Sequence, residues 1–331
     1  MYVFYGNDYA TISLFKAYLS DCLKMKDLGS LKYFLGIEVT RSASSLFLCQ
    51  RKYTLDIIVE VGLLGAKPFG VPMEQNHRLS HDTSALFDEP EWYRRLVGRF
   101  IYLAVSRPNL AYSVHILSQF LQATHISHWD AAMRVVRYLK GTPGHGCLSH
   151  HAALLFWVAS FLEGILPYLG RQRRGWCDSD WAACPITRRS LSGWLVSWGH
   201  SPISWKTKKQ HTVSLSFAEA EYRSMTAITC EFKWLKGILL SLGVHHPKAI
   251  SLFCDSLSAL HIAHNPVFHE RMKHIEVDCH FVRDAIKDGL LAPSYVPTTT
   301  QLAEVFTKAL GKSRFDLLIS KLGICSPHAP T

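Results

Sequence analysis

Acidic residues in the second half of the chain stand where their carboxylates could meet. Asp178 and Asp180 end one predicted strand, and Asp255 directly follows the apolar strand predicted at 250–254. Sites in open α/β sheets lie beyond the carboxyl ends of strands, so these acids are candidates for chemistry. Asp255 also precedes a helical pattern, and capping of that helix explains this residue equally well on its own.

The long helix predicted at 218–242 directs Glu221 toward the sheet. Its apolar residues recur at spacings of three and four from Met225 to Leu239, and Glu221 extends the same stripe by one step of four. Glu219 lies about 160° around the helix from this stripe and is expected to be a solvated charge. A carboxylate inside a domain is costly unless it is paired or binds a metal, which makes Glu221 the functional candidate.

Carboxylates that come from strand ends and a helix, with no histidine or cysteine expected to join them, are typical ligands of a hard cation. Mg²⁺ prefers oxygen ligands and keeps several of its waters for contact with a substrate. Two such ions about 3.5–4 Å apart activate a water and stabilise the leaving oxygen in phosphodiester cleavage. The acids therefore predict a site for two Mg²⁺ ions, with Mn²⁺ as a substitute and a phosphate-rich substrate.

Composition supports a folded protein with a polyanionic partner. Hydrophobic residues make up 48% and charged residues 19% of the chain, which excludes a disordered protein, and the 331 residues predict two domains. Lys and Arg number 36 against 26 Asp and Glu, which leaves a net charge of +10. That surplus favours nucleic acid or an acidic membrane surface as the partner, and a basic soluble protein without such a partner is the alternative.

The cysteines and the amino terminus indicate an intracellular protein. The nine cysteines are scattered and form no C-x-x-C pair, which argues against a disulfide framework and against a zinc ribbon. No basic segment precedes the apolar residues that follow Met1, so no signal peptide is predicted. We therefore expect the protein in the cytoplasm or the nucleus and not among secreted proteins.

Strands and helices mix in the first part of the chain, up to residue 148. Apolar runs predict strands at 31–39 and 46–49, which a short polar stretch joins into a hairpin. Residues 65–90 are rich in Pro, Ser, His and Asp and have the composition of a linker. Helical patterns lie at 54–62, 91–105, 109–123 and 128–140.

Residues 149–174 form an atypical apolar insert. Apolar or small residues run from 152 to 162 before polar residues and Pro167 interrupt them. A membrane-spanning helix needs about 20 predominantly apolar residues, so a core or interface segment is favoured here. A membrane-associated segment and a poorly folded segment are the alternatives.

The second part, 175–325, has the pattern of an α/β domain with a mixed sheet flanked by helices. Strands at 191–198 and 202–207 form a hairpin across Gly199. Further strands are predicted at 250–254 and 290–296, and helices at 218–242, 256–264, 274–287, 301–310 and 314–322.

Basic residues of this second part are candidates for contact with nucleic acid. They are Lys206, Lys208 and Lys209 on a strand edge, and Arg188 and Arg189 ahead of it. Such residues can follow the phosphates of a hybrid duplex. A solvated edge on which lysines discourage strand pairing is the equally good alternative.

Short sequence blocks follow one another along the chain in an order that is typical of a known family. In the second part they read CDSDWA at 177–182, SFAEAEY at 216–222, LFCD at 252–255, NPVFHER at 265–271, KHIE at 273–276 and QLAEVFTK at 301–308. In the first part they read MKDLG at 25–29, YFLGIE at 33–38, QRKY at 50–53, YRRLVG at 93–98 and YLKGTP at 138–143. The second set resembles the RNase H domain of copia-type retrotransposon Pol polyproteins. The first set resembles the carboxy-terminal part of that family's reverse transcriptase and its connection.

The resemblance implies a fold, an activity and a site. The fold is an RNase H-like mixed sheet at 175–325, preceded by a smaller α+β reverse transcriptase remnant at 1–148 and the insert at 149–174. The activity is metal-dependent endonucleolytic hydrolysis of the RNA strand of RNA/DNA hybrids, with other parts of a Pol polyprotein as further partners and no small-molecule cofactor. Carried over by position, the catalytic and metal-binding residues are Asp178, Glu221, Asp255 and Glu304, with Asp180 as a supporting acid.

Three departures from the family pattern bear on this implication. Tyr2 and Val3 continue without the two aspartates that bind the polymerase metals in the family, so reverse transcription is not expected from this chain. Glu304 replaces the family's aspartate, and a carboxylate displaced by about 1 Å can cost ~10²-fold in rate. The segment 149–174 does not match the family. A catalytically inactive nucleic-acid-binding remnant is therefore the alternative to an active RNase H.

Overall fold

The computed structural model describes residues 9–23, 32–42, 45–81, 83–149, 173–199, 201–241, 247–265 and 273–326. Within these residues lie nine α-helices and two five-stranded sheets. The helices are α1 (Tyr9–Leu23), α2 (Arg51–Glu60), α3 (Pro90–Leu103), α4 (Ala111–Ser118), α5 (Ile126–Gly141), α6 (Phe217–Ser241), α7 (Leu257–His264), α8 (Glu276–Lys287) and α9 (Lys312–Lys321). The strands are β1 (Tyr33–Phe34), β2 (Ile37–Arg41), β3 (Leu46–Cys49), β4 (Gly146–Ser149), β5 (Arg173–Ser179), β6 (Leu191–Trp198), β7 (Ser201–Lys209), β8 (Ile250–Cys254), β9 (Leu291–Tyr295) and β10 (Ile324–Cys325).

The first sheet is antiparallel and has the order β1-β2-β3-β4-β10. The prediction of one continuous strand at 31–39 was wrong, because the chain turns in the middle of this range. Leu35 and Gly36 have positive φ values of 47° and 77° there and reverse the chain between β1 and β2, a conformation that glycine adopts without steric cost. The short strands β4 and β10 were not predicted, and β10 returns the end of the chain to the first sheet.

Helices α2 to α5 share one apolar core with this sheet. Tyr93, Phe100 and Val135 are fully buried in it. The predicted helices are present with shifted ends, although the one predicted at 109–123 shortens to α4 after a 3₁₀ turn at Pro108–Leu110. The linker predicted at 65–90 was wrong, because Met73 and Leu79 are buried in the same core and Val71 and Phe87 pack against it.

The second sheet is mixed and has the order β7-β6-β5-β8-β9. Strands β5, β6 and β7 are antiparallel neighbours, whereas β8 and β9 run parallel to β5. Helix α6 packs closely on one face, and Gly175 permits this contact because a Cβ there would lie 2.3 Å from the Phe232 ring. The predicted class, a mixed sheet flanked by helices after a smaller α+β part, is confirmed.

The other face of the second sheet is covered by the end of the chain and by the first part. The Thr207 hydroxyl donates to the Phe306 carbonyl at 2.7 Å, and the Trp205 indole donates to the Ala104 carbonyl at 3.0 Å. Leu195 of β6 belongs to the same apolar cluster as the helices of the first part. The two sheets therefore share packed apolar residues, and the domain boundaries at 148 and 175 stay a prediction.

The apolar run at 152–169 lies outside the described residues, as do Tyr2 and Val3 and most of the block at 265–271. Within the described ranges, no helix combines the length and the apolar character that crossing a membrane requires.

Candidate metal centre

Asp178 and Asp255 lie at the ends of neighbouring parallel strands. The register pairs Trp176 of β5 with Phe253 of β8, and each acid stands two residues beyond that pair. The carboxyl ends of parallel neighbours meet at one edge of a sheet. The two acids, predicted from separate parts of the sequence, are thereby brought side by side.

Glu221 reaches the same edge from the first turns of α6. It belongs to the buried stripe of this helix that includes Met225 and Ile228. The Ser179 amide donates to Glu221 Oε1 at 3.0 Å. The inward direction predicted for Glu221 is confirmed by its burial, and the Ser179 amide fixes one of its two oxygens.

A third kind of ligand atom joins these carboxylates. One ligand atom each from Glu221, Cys254 and Asp255 lie within 4.8 Å of one another, and the Cys254 thiol is 3.9 Å from Glu221 Oε2. The expectation that no cysteine joins the acids was wrong, because Cys254 ends β8 with its side chain on the buried side of the strand. Hard cations nevertheless prefer the carboxylate oxygens to a thiol.

The fully buried Asp178 carboxylate is held by two residues from near the end of the chain. The Thr307 hydroxyl donates to Asp178 Oδ2, and the Lys308 ammonium lies 3.6 Å from Oδ1. Burial raises the pKa of Asp178, Asp255 and Glu304 add to the rise, and Lys308 and Thr307 oppose it.

Glu221 is subject to the same physical effect. Burial raises the pKa of Glu221 well above its usual range, and the nearby Asp178, Cys254 and Asp255 raise it further. Burial and like charge both disfavour the ionised form. A cation among these groups would remove that cost, so their arrangement favours the uptake of positive charge.

Glu304 borders the cluster on a 3₁₀ helix, Leu302–Phe306, which is shorter than the helix predicted at 301–310. Glu304 Oε2 accepts hydrogen bonds from Arg314 Nε at 2.9 Å and Nη2 at 2.6 Å. Its other oxygen, Oε1, lies 3.8 Å from the Lys308 ammonium. Glu304 is therefore near Asp178, as the pattern predicts, but both of its oxygens face cationic side chains.

Asp180 is held by the backbone of the neighbouring strand. Its Oδ1 accepts a hydrogen bond from the Leu191 amide at the start of β6. Burial raises the pKa of Asp180 to about 7, with Asp178 adding to the rise and the Leu191 amide opposing it. Its contact with the backbone agrees with a supporting position.

The prediction that Glu219 is a solvated charge was wrong. Glu219 is buried, its Oε2 accepts from the Leu215 amide at 2.7 Å, and its Oε1 lies 2.8 Å from His274 Nε2. Helical phase separates the face that meets the sheet from the opposite face. It does not reveal that the loop before α6 and the 3₁₀ turn at Lys273–Ile275 cover the opposite face at this end.

Sequence reasoning missed the residues that hold the carboxylates, namely Cys254, Thr298, Thr307, Lys308 and Arg314. Thr307 and Lys308 follow Glu304 by three and four residues inside the block QLAEVFTK, which was their available signal. Arg314 and Thr298 lie outside every quoted block, and only the fold brings them to the site.

Comparison with known proteins identifies relatives of this chain. A family model for reverse transcriptase (RNA-dependent DNA polymerase) matches residues 2–75. The chain is 38% identical over 321 residues, 96% of its length, to the retrovirus-related Pol polyprotein from transposon RE2 of Arabidopsis thaliana. It is 32% identical over 330 residues, 97% of its length, to the retrovirus-related Pol polyprotein from transposon TNT 1-94 of Nicotiana tabacum. The chain is homologous to copia-type Pol polyproteins.

The chain covers a minor part of those relatives: 21% of the RE2 polyprotein and 24% of the TNT 1-94 polyprotein. Among solved structures, it is similar to the N-terminal RNase H domain of Rv2228c from Mycobacterium tuberculosis, studied as a fusion with maltose binding protein. That match has a TM-score of 0.31 and 13% identity, over 46% of this chain and 98% of the other.

The alternative explanation of Asp255, helix capping, does not fit the structure. Ser256 is the cap of α7, since its hydroxyl accepts from the Ala259 amide at 3.2 Å. Asp255 Oδ2 instead accepts from the Thr298 hydroxyl at 2.8 Å. The Asp255 carboxylate is thus held toward the other acids.

The five predicted nucleic-acid-binding residues divide between strand β7 and the loop between β5 and β6. The register aligns Asp178, Gly193 and Thr207 in one row across the sheet, so the neighbouring lysines, Lys206 and Lys208, point to the opposite face. Lys209 shares the face of Asp178, and its ammonium contacts Gln119 at 3.1 Å and Cys184 at 3.0 Å. Arg188 and Arg189 are exposed in the loop between β5 and β6, at the edge that carries the acids.

Proposed function

We propose that this chain is an RNase H: a divalent-metal-dependent endonuclease that hydrolyses the RNA strand of RNA/DNA hybrids. The observation that carries the proposal is the convergence of Asp178, Glu221 and Asp255 at one edge of the mixed sheet. These acids come from two parallel strand ends and a helix, and the QLAEVFTK block adds Glu304 beside them. Carboxylates in this arrangement, in a basic chain, suit metal-dependent phosphodiester cleavage.

Asp178, Glu221 and Asp255 would hold Mg²⁺, and Glu304 would assist a second ion, with Mn²⁺ as a substitute. The donor set fits a hard cation because it consists mainly of carboxylate oxygens. A cation of the chain itself, the Lys308 ammonium, already lies 3.6 Å from Asp178 and 3.8 Å from Glu304. Bound ions would supply an activated water and stabilisation of the leaving oxygen.

The chain's own residues orient these carboxylates. The Ser179 amide holds Glu221, the Thr307 hydroxyl holds Asp178, and the Thr298 hydroxyl holds Asp255. Each contact leaves the acid a second oxygen. Preorganised ligands of this kind lower the cost of positioning a substrate phosphate.

Duplex binding would rest on shape and charge and not on base sequence. The exposed Arg188 and Arg189 adjoin the acidic edge, and Lys209 lies on the same face of the sheet as Asp178. Lys206 and Lys208 lie on the opposite face, so they are expected to contribute less. A-form geometry and 2′-hydroxyl groups distinguish the hybrid from DNA. Reverse transcription by this chain alone is not part of the proposal.

The test is incubation of the purified chain with a labelled RNA/DNA hybrid and Mg²⁺ or Mn²⁺. We expect cleavage of the RNA strand that stops when the cation is chelated. Asp255→Asn keeps the size of the side chain and should lower the rate at least about a hundredfold. Asp288→Asn, at an exposed aspartate after α8, is the matched control and should leave the rate unchanged. A folded wild-type chain that binds the hybrid and does not cut it would contradict the proposal.

One observation favours the second candidate, a catalytically inactive nucleic-acid-binding remnant. Both oxygens of Glu304 face Arg314 or Lys308, and the glutamate is one methylene longer than the family's aspartate. Binding of the hybrid without cleavage, with cleavage restored by Glu304→Asp, would support this candidate and locate the damage at that ligand.

A further inference from the structure

The ammonium of Lys308 occupies a defined place among the carboxylates of the candidate metal centre. Its Nζ lies 3.6 Å from Asp178 Oδ1 and 3.8 Å from Glu304 Oε1. The opposite oxygens of these two acids are already engaged, Asp178 Oδ2 by Thr307 and Glu304 Oε2 by Arg314. Lys308 therefore faces the two oxygens that remain to bind a second metal ion.

We infer that Lys308 is a tethered counter-ion that holds the place of the second divalent cation, so that this cation binds only as the lysine leaves. The inference rests on the proposed function and deepens it. The first cation would use the Glu221 and Asp255 side of the cluster, which Lys308 does not contact within ion-pair distance among the described residues.

Charge explains why the lysine stays when no second cation is bound. Partial burial favours the neutral amine, but Asp178, Glu304, Asp255 and Glu221 outweigh that effect and raise the pKa of Lys308. The ammonium in turn counters part of the repulsion among the acids. A cation tethered to the same chain competes with a free ion at high effective concentration.

The Lys308 side chain is also able to move away from the carboxylates. It is 38% exposed, and a lysine carries its charge on a flexible four-carbon stem. A phosphate of a bound duplex is an alternative partner for the ammonium. Substrate binding would then release Asp178 and Glu304 for the second cation, which couples assembly of the full centre to the presence of substrate.

The test is a count of Mn²⁺ ions bound to the full chain, by electron paramagnetic resonance during a titration without nucleic acid. We expect the wild type to bind one ion tightly and a second one weakly. Lys308→Gln should lower the dissociation constant of the second ion at least about tenfold and leave the first nearly unchanged. Lys308→Arg keeps the charge and should bind the second ion as weakly as the wild type.

Lys312→Gln is the matched control, because Lys312 pairs with Asp316 on α9 and lies outside the cluster. Equal second-ion constants in the wild type and Lys308→Gln would overturn the inference. If Lys308→Gln does not fold, acetylation of the wild type by acetic anhydride decides the question. The inference requires that Lys308 become more reactive as the second Mn²⁺ binds, and unchanged reactivity would overturn it.

Counting the bound Mn²⁺ ions does not require cleavage of a hybrid. This test is therefore separate from the test of the proposed function. Hybrid cleavage with equal second-ion constants would reject the role of Lys308 alone. A shift of the second-ion constant without cleavage would keep the role of Lys308 and reject the RNase H activity.

Discussion

Single side chains set the charge of their neighbours in this protein. Lys308 faces the buried Asp178, and the Lys209 ammonium lies 3.0 Å from the Cys184 sulfur. A positive charge at such a distance favours the ionised form of its partner. Each lysine is thus one cause of the pKa of its partner beside burial and other contacts, and a single substitution can test its part.

Cys184 is expected to be the most reactive thiol of the second part. Partial burial opposes ionisation, but contacts with Lys209 and Thr187 prevail and lower the pKa of Cys184 to about 7. Iodoacetamide should alkylate Cys184 near neutral pH faster than Cys230, an exposed cysteine whose pKa is raised by partial burial. Lys209→Met should slow the reaction at Cys184 several-fold. Peptide mapping by mass spectrometry measures both rates, and no slowing in the variant would contradict the role of Lys209.

Two histidines should make the stability of the chain depend on pH. Burial lowers the pKa of His115 and His145 to about 4, with Lys209 and Arg107 as further causes. An unfolded histidine takes up a proton near pH 6.5, so between about pH 6.5 and 4 the unfolded chain binds more protons at these sites. Their contribution to the free energy of unfolding is complete above about pH 6.5 and is lost as the pH falls toward about 4.

The measurement is urea unfolding across this pH range for the wild type and for the chain with His115→Gln and His145→Gln. The double variant should lose less stability on acidification than the wild type. The buried acids Asp178 and Asp180 have raised pKa values and the opposite dependence, so the difference between the two proteins is the quantity that decides. If the free energy of unfolding fell equally with pH in the two proteins, the role of His115 and His145 would be contradicted.

At the scale of elements, a glycine decides whether the 3₁₀ helix at Leu302–Phe306 can lie on β6. Gly193 pairs with Asp178 across the sheet. A Cβ at Gly193 would lie 2.7 Å from the Phe306 Cβ and 2.7 Å from the Thr307 Cγ2. The missing side chain thus lets Thr307 and Lys308 reach Asp178.

Gly193→Ala should lower the free energy of unfolding by about 1–3 kcal/mol, because it overpacks this contact. It should also weaken Mn²⁺ binding, because it displaces Thr307, whose hydroxyl orients the Asp178 carboxylate. Gly237→Ala is the control: nothing lies within 4 Å of a Cβ at that position in α6, and alanine should stabilise the helix by about 0.5–1 kcal/mol. Thermal melts with and without Mn²⁺ measure both effects. Unchanged stability of Gly193→Ala would refute the close approach of Phe306 and Thr307 to Gly193.

The two faces of the second sheet should contribute unequally to duplex binding. Arg188 and Arg189 adjoin the acidic edge, whereas the side chain of Lys206 lies on the opposite face from Asp178. Neutralising both arginines to glutamine should weaken hybrid binding and reduce the slope of log affinity against log salt by roughly 1–2. Lys206→Gln should change neither the affinity for the hybrid nor this salt dependence by much. Equal losses in the two variants, measured by fluorescence anisotropy at several salt concentrations, would show that the edge of β7 also contacts the duplex.

At the scale of the whole molecule, the end of the chain joins the two sheets. Helix α9 places Phe315, Leu318 and Ile319 in the apolar cluster that also contains Leu195 of β6. Strand β10 then pairs with β4 of the first sheet. The second part therefore does not end on its own sheet, and its last residues stabilise the first part.

Leu318→Ala should destabilise the protein by about 2–5 kcal/mol, because Leu318 is fully buried. Its neighbour Leu317 is exposed, and Leu317→Ala should stay within about 0.5 kcal/mol of the wild type. Tryptophan fluorescence, which reports on the first part through Trp92 and Trp129 and on the second sheet through Trp176 and Trp194, should shift in Leu318→Ala together with far-ultraviolet circular dichroism. Separate transitions would show that the two sheets unfold independently.

Periodicity and strand-end position were sufficient to locate most of the candidate centre. The stripe from Met225 to Leu239 identified Glu221 as the inward acid, and the apolar run at 250–254 placed Asp255 at a strand end. The same local signals failed for Glu219 and for the segment at 65–90. In both cases, contact with elements distant in sequence determined burial, and such contacts leave no periodic trace.

Local sequence determined most of the strands and helices, the inward stripe of α6 and the family resemblance of the chain, because these depend on neighbouring residues and on short blocks. Only the tertiary structure decided what surrounds the acids. Parallel pairing of β5 with β8 brings Asp178 beside Asp255, and the return of the chain end supplies Lys308 and Arg314. These neighbours set the charge of the centre, since electrostatic interaction depends on distance in space and not on separation along the chain.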